Sequence, residues 1–213
     1  MRTEDFILML ATGVEPSPRG ALKKRAAWAL GLGLLATLVL FHIRYGVRRD
    51  IVAMLTVPLF WLKFALALAV ALAAAWMTAR LARPGRRAAA GWLLAAIPVL
   101  IVWGTAAMEL EHAAPAARLP SLLGHSWHIC TFNIAVLSVP MFVALLWMLR
   151  GMAPTQLVHA GAAAGLLSGS FSLFMYSFYC TEMAVEFWSI WYVLGMLIPA
   201  FVGALVGRTV LRW

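Results

Sequence analysis

Long apolar stretches alternate with short polar connections along almost the whole chain. Six of them stand out, over Ala26–Phe41, Thr56–Met77, Ala88–Ala107, His128–Leu149, Pro154–Tyr179 and Phe187–Gly207. Their lengths lie near the roughly 20 residues that cover a hydrocarbon core of about 30 Å. They are too long and too continuous for the strands of a membrane barrel. A helix satisfies its own backbone groups in lipid, so the pattern predicts an all-α integral membrane fold, a six-transmembrane helix bundle. Two domains follow: a polar head over 1–25 and a transmembrane domain over 26–213.

The head has a pattern of its own. Thr3 is a good N-cap, and Glu4 and Asp5 suit the first turn of a helix. Phe6, Met9 and Leu10 then share one face at i, i+3 and i+4. Gly13 predicts a stop, and Glu15-Pro-Ser-Pro18 a stiff linker. A helix of about nine residues is marginal alone in water, so two readings stay open. It is a frayed or lipid-lying terminus, or a docking helix for a cytoplasmic partner.

The spans carry helix-packing signals. Gly161, Gly165 and Gly169 recur every fourth residue in the fifth span, as do Gly203 and Gly207 in the sixth. Small residues at this spacing let backbones approach closely, within one chain or across a homodimer. Pro98, Pro140 and Pro199 interrupt three spans, as prolines often do in membrane helices. Trp28, Trp103, Trp127, Trp188 and Trp191 fall near span ends, as an aromatic belt would.

Composition agrees with this reading. Hydrophobic residues make up 64% and charged residues 12%, with a mean hydropathy of +0.90. The net charge of +9 suggests nucleic acid at first sight, but its distribution does not. With the head inside, twelve Lys and Arg lie in inner segments and four in outer ones, Arg44, Arg48, Arg49 and Arg118. That asymmetry places both termini in the cytoplasm, with membrane lipid rather than nucleic acid as the basic residues' partner. The first span has a long head and no small-residue cleavage site, so a retained helix is expected rather than a signal peptide. Lys63 sits about two turns from the outer end of its span, which favours snorkelling to the interface over pairing inside the bundle.

Few residues could carry chemistry. The chain has two cysteines, Cys130 opening the fourth span and Cys180 closing the fifth, both predicted at the outer face. On straight helices their heights differ by roughly 9 Å, while a disulfide needs Cα atoms within about 7 Å. A direct bond therefore asks for tilt of the longer helix. His125 and His128 share a face if the segment is helical, and Cys130 then points elsewhere. His112 and Glu182 complete a candidate outer metal set, because His and Cys suit zinc or copper. The spacing matches no established metal signature. Interface histidines with two structural cysteines explain it as well. No cofactor is required by the sequence. His159, near the inner end of its span, reads as an ordinary packed histidine.

No enzyme motif is present: no phosphate-binding loop, nucleophile elbow, His-Glu-x-x-His or Cys-x-x-Cys. No carboxylate lies mid-span, which argues against a proton-driven transporter. A metal or small-solute transport protein using the outer His/Cys cluster as an entry site is nevertheless the alternative to a regulatory reading. A structural subunit of a redox complex is a third.

Several segments together resemble the NrsF family of proteobacterial membrane anti-sigma factors, negative regulators of sigma F. They are the head Met1-Arg-Thr-Glu-Asp-Phe-Ile-Leu-Met-Leu-Ala11, the Phe60-Trp-Leu-Lys63 entry to the second span, the two outer cysteines, and the tail Trp191–Pro199 with Leu211-Arg-Trp213. The resemblance implies a bacterial inner-membrane protein that holds an extracytoplasmic-function sigma factor through its cytoplasmic head. Release would follow heavy-metal or oxidative stress. It implies that Cys130 and Cys180 are periplasmic sensing residues, responding through a disulfide or a metal ion. It also implies that Thr3, Asp5, Phe6, Ile7, Met9 and Leu10 make the sigma-factor contact.

Overall fold

The computed structural model describes residues 3–12 and 20–212. Nine helices occur among them, and no strand: α1 (Thr3–Ala11), α2 (Ala21–Arg44), α3 (Ile51–Met54), α4 (Pro58–Leu81), α5 (Ala89–His112), α6 (Pro115–Leu123), α7 (Trp127–Arg150), α8 (Leu157–Tyr176) and α9 (Val185–Val210). Six of these, α2, α4, α5, α7, α8 and α9, carry the predicted apolar spans and are long and apolar enough to cross a membrane. The head helix α1 has its acidic residues Glu4 and Asp5 in the first turn, as expected from the helix dipole. Its Phe6, Ile7 and Met9 are exposed. The Gly13 stop, the Pro16 and Pro18 linker and the side chain of Leu10 lie outside the described residues.

Helix α8 is the centre of the bundle. It packs on α4, α7 and α9, and more lightly on α2; α2 lies along α7, and α5 against α4 and α9. The glycine repeats explain why α8 and α9 form the closest pair. A Cβ on Gly161 would stand 2.0 Å from the Gly203 carbonyl oxygen, and one on Gly165 would stand 1.9 Å from that of Pro199. These are backbone atoms, which cannot rotate away. The repeats are therefore used inside the chain, leaving no glycine stripe free there for a dimer contact. Gly165→Leu is expected to lower the melting temperature and cause aggregation in detergent, since overpacking costs about 1–3 kcal/mol even where side chains can shift. Gly31→Leu, with nothing within 4 Å of its Cβ position, should leave both measurements unchanged.

Prolines 98, 140 and 199 sit inside continuous helices. The aromatic belt needs correction. Trp28, Trp103 and Trp127 are exposed, but Trp188 is fully buried in the core. The Trp191 indole donates to the Leu122 carbonyl at 2.8 Å, which ties α6 to α9. Both lie on the inward side of α9, so helix packing rather than the interface determines where they point. His159 is also not a core residue: it is exposed and meets only the edge of the bundle, 6.4 Å from the Trp92 ring.

Candidate functional site

Helix α8 ends at Tyr176, and the chain then turns instead of continuing to the end of the apolar run at Tyr179. The amides of Tyr179 and Cys180 both donate to the Tyr176 carbonyl, at 3.0 Å each. Cys180 is thereby folded back over the bundle. The 9 Å offset expected for straight helices disappears for this reason, and the two sulfurs stand 3.8 Å apart. Both cysteines are free thiols and both are buried. Closing a disulfide from 3.8 Å to about 2.05 Å is a movement of under about 2 Å.

Cys130 faces inward from the first turn of α7. Its sulfur lies 3.2 Å from the Ser126 hydroxyl and 3.4 Å from that of Tyr176. The Asn133 amide donates to the same Tyr176 hydroxyl at 3.3 Å. Ser126 and Tyr176 each precede a cysteine by four residues, one helical turn, and that spacing was the available sequence signal for them.

The irregular segment Cys180–Ala184 is held from three directions. Arg48 donates to the Cys180 carbonyl at 3.2 Å while its other nitrogens grip Asp50 at 2.6 and 2.5 Å. The Arg48 guanidinium holds the Asp50 carboxyl below the usual carboxylate range. From α4, the Lys63 ammonium donates to the Glu182 carbonyl. From α7, the Glu182 carboxylate accepts the His125 amide at 2.9 Å and the Ser126 hydroxyl at 3.3 Å. An acidic group in this place satisfies free N–H groups and complements the dipole at the start of α7. Gly124 makes room for it. Its φ is +54°, and a Cβ there would stand 2.6 Å from the Phe187 ring.

This geometry revises the expected metal set. His125 approaches Glu182 at 3.7 Å, but its ring is fully solvent-exposed. His128 projects outward beside Trp127, because the helix already includes Cys130 and turns the two side chains to opposite sides. His112 is exposed at the end of α5, its Nδ1 2.6 Å from the Met108 carbonyl oxygen. Among the described residues, no three His, Cys, Asp or Glu side chains gather as metal ligands would. Glu182 is instead engaged at the start of α7. Lys63 also departs from expectation. It is fully buried, not snorkelled, because the Glu182 carbonyl lies within its reach inside the bundle.

A pocket of about 440 Å³ opens beside the sulfurs, lined in part by Arg48, Arg49, Asn133, Tyr179 and Cys180. At the other end of α7, Arg25 from the start of α2 lies over the Trp147 ring at 4.2 Å and donates to the Trp147 carbonyl at 2.5 Å. Midway, α2 and α7 approach closely at Gly33, where a Cβ would meet the Met141 sulfur at 2.6 Å. One continuous helix therefore joins the cysteine end to the helix that follows the head.

Comparison with known proteins is consistent with this architecture. The family model described as "Negative regulator of sigma F" matches residues 10–213. A "Probable anti-sigma-F factor NrsF" of Azospira oryzae is 40% identical over 215 residues, covering 100% of both chains. An "Anti-sigma-F factor NrsF" of Caulobacter vibrioides is 37% identical over 222 residues, again covering 100% of both. No solved structure matches. Family match and full-length identity together establish that this chain belongs to the NrsF family of negative regulators of sigma F.

Proposed function

We propose that the chain is a multi-pass inner-membrane anti-sigma factor that sequesters an extracytoplasmic-function sigma factor through α1 and releases it on oxidative stress. The observation that carries this reading is the 3.8 Å approach of its two cysteines at one end of α7, while the other end of α7 holds the start of α2 through Arg25. The excess of Lys and Arg on the head side supports a cytoplasmic head and C-terminus, with Cys130 and Cys180 in the periplasm. Exposed Phe6, Ile7 and Met9 supply an apolar strip for a groove in the sigma factor.

The sensing step is a two-electron oxidation by hydrogen peroxide. One cysteine thiolate attacks the O–O bond, giving a sulfenic acid and a hydroxide that takes up a proton to leave as water. The thiol of the other cysteine then attacks the sulfenic sulfur, and a second water leaves as the disulfide forms. Two thiols alone leave a zinc ion two ligands short of its usual four, and among the described residues no group of three or more His, Cys, Asp or Glu gathers as metal ligands would, which favours oxidation over zinc capture as the signal. Sulfur movement at the first turn of α7 is transmitted along about 25 Å of helix between Cys130 and Trp147. Release of the Arg25 contact then frees α2 and the head.

Co-purification tests this. The tagged full chain, extracted from membranes containing candidate extracytoplasmic-function sigma factors, is expected to retain one of them and to lose it after peroxide treatment. Recovery of no sigma factor from untreated membranes would overturn the reading.

A further inference from the structure

Lys63 lies on the second turn of α4 and is fully buried. Its ammonium donates to the Glu182 carbonyl and stands 5.9 Å from the centre of the Tyr192 ring. The ion pairs among the described residues are Arg48–Asp50 and His125–Glu182, so no carboxylate neutralises Lys63. The nearby Glu182 carboxylate is turned toward the start of α7. A buried ammonium with only a carbonyl and a ring beside it is under-compensated. Tyr192 adds a second unmet polar group: its hydroxyl is buried without a hydrogen bond of ordinary geometry. The carbonyl that Lys63 meets belongs to the residue two beyond Cys180, and the buried Cys180 sulfur stands 3.8 Å from that of Cys130.

We infer that Lys63 is the counter-ion of Cys180, holding a thiolate at that sulfur and making Cys180, rather than Cys130, the nucleophile of the pair. The proton leaves to water through the pocket that Cys180 lines. The groups around the sulfur pair come from every packed element. They are Lys63 of α4, Cys130 and Ser126 at the start of α7 with the Glu182 carboxylate that accepts from Ser126, Tyr176 of α8, Tyr192 of α9 and Arg48 with its partner Asp50, with Tyr45, Arg49 and Tyr179 along the pocket. The Cys180 thiol is held below the ordinary thiol range, first by the hydrogen bond from Cys130. Burial opposes this, while the charge of Lys63 assists it. Arg48 cannot take over the role, because Asp50 and the Cys180 carbonyl engage its nitrogens.

This inference deepens the sensing reading and relies on it for biological consequence. Its test uses no sigma factor, so either can fail alone. In the purified full-length Cys130→Ser protein, Cys180 is the single thiol, and the introduced hydroxyl keeps a donor toward it. The rate of its reaction with methyl methanethiosulfonate is followed by mass spectrometry across pH 5 to 10. A midpoint below the ordinary cysteine value of about 8.5 is expected, and a midpoint at or above it overturns the inference with no further variant needed. Adding Lys63→Gln, which keeps a donor for the Glu182 carbonyl but removes the charge, should raise the midpoint by at least about one unit. The rate at neutral pH should then fall about tenfold. Lys63→Arg should restore the parental profile. A Lys63→Gln profile superimposed on the parent, or equal shifts with Gln and Arg, would reduce Lys63 to a packing residue.

Discussion

Phe6→Asp combined with Met9→Asp is expected to move the sigma factor from membranes to the soluble fraction and to switch on its target promoters without stress. Both side chains are exposed on α1 and would be covered by the bound partner. Burying a large apolar side chain contributes about 1.5–3 kcal/mol, so losing two removes about 3–6 kcal/mol from binding. That corresponds to roughly two to four orders of magnitude in Kd. The carboxylates add a desolvation cost in any apolar groove. The bundle itself should be unaffected, and an unchanged melting temperature of the detergent-solubilised variant checks this. Recovery of the sigma factor at the parental level in a pull-down would show that the strip is not the contact.

Replacing Cys130 and Cys180 by serine should abolish peroxide induction while leaving repression intact. Serine is nearly isosteric, and its hydroxyl can take over the contacts that Cys130 makes with Ser126 and Tyr176. The switch is therefore lost without a collapse of the site. The size of the normal response follows from the energy available. Complete reversal of a 1:99 equilibrium needs about 5.5 kcal/mol, whereas a disulfide typically supplies about 2–4 kcal/mol. From that resting ratio, oxidation would reach between about 1:3 and 9:1, so a graded parental response is expected. Each single substitution should be as inert as the double one, because a disulfide requires both sulfurs. Induction at the parental level in the double variant would remove the sensing role altogether.

The fold was largely legible because the bilayer imposes a one-dimensional rule. A helix must be apolar for about 20 residues, and hydropathy alone reveals that. All six spans are found as helices, with the ends of several extended by a turn or two beyond their apolar runs. The glycine repeats were legible for a similar reason, since fourfold spacing of small residues has one main physical use, close backbone approach. What they approach was not legible. That partner is Gly203 and Pro199 of the same chain.

The candidate site was only half visible. Two cysteines in a chain so poor in reactive groups draw attention unaided. Their proximity did not follow from helix lengths, because the turn after Tyr176 breaks the linear count. The histidines were ambiguous for a different reason. Their pattern allowed an irregular entry to the span or a helical one, and a helix starting at Trp127 is the case in which His128 and Cys130 point to opposite sides.

By itself, then, the amino-acid sequence determined how many stretches of the chain are long and apolar enough to cross a membrane, how its Lys and Arg are spread over the connecting segments, and which few side chains could react. Those properties depend on local composition, to which lipid and water respond directly. Tertiary structure alone decided that Cys180 folds over Cys130, that Lys63 turns inward to a carbonyl, and that Arg25 locks onto Trp147. Each of these joins residues far apart in the chain across a packed interface, and the geometry of such contacts exists only once the helices have met.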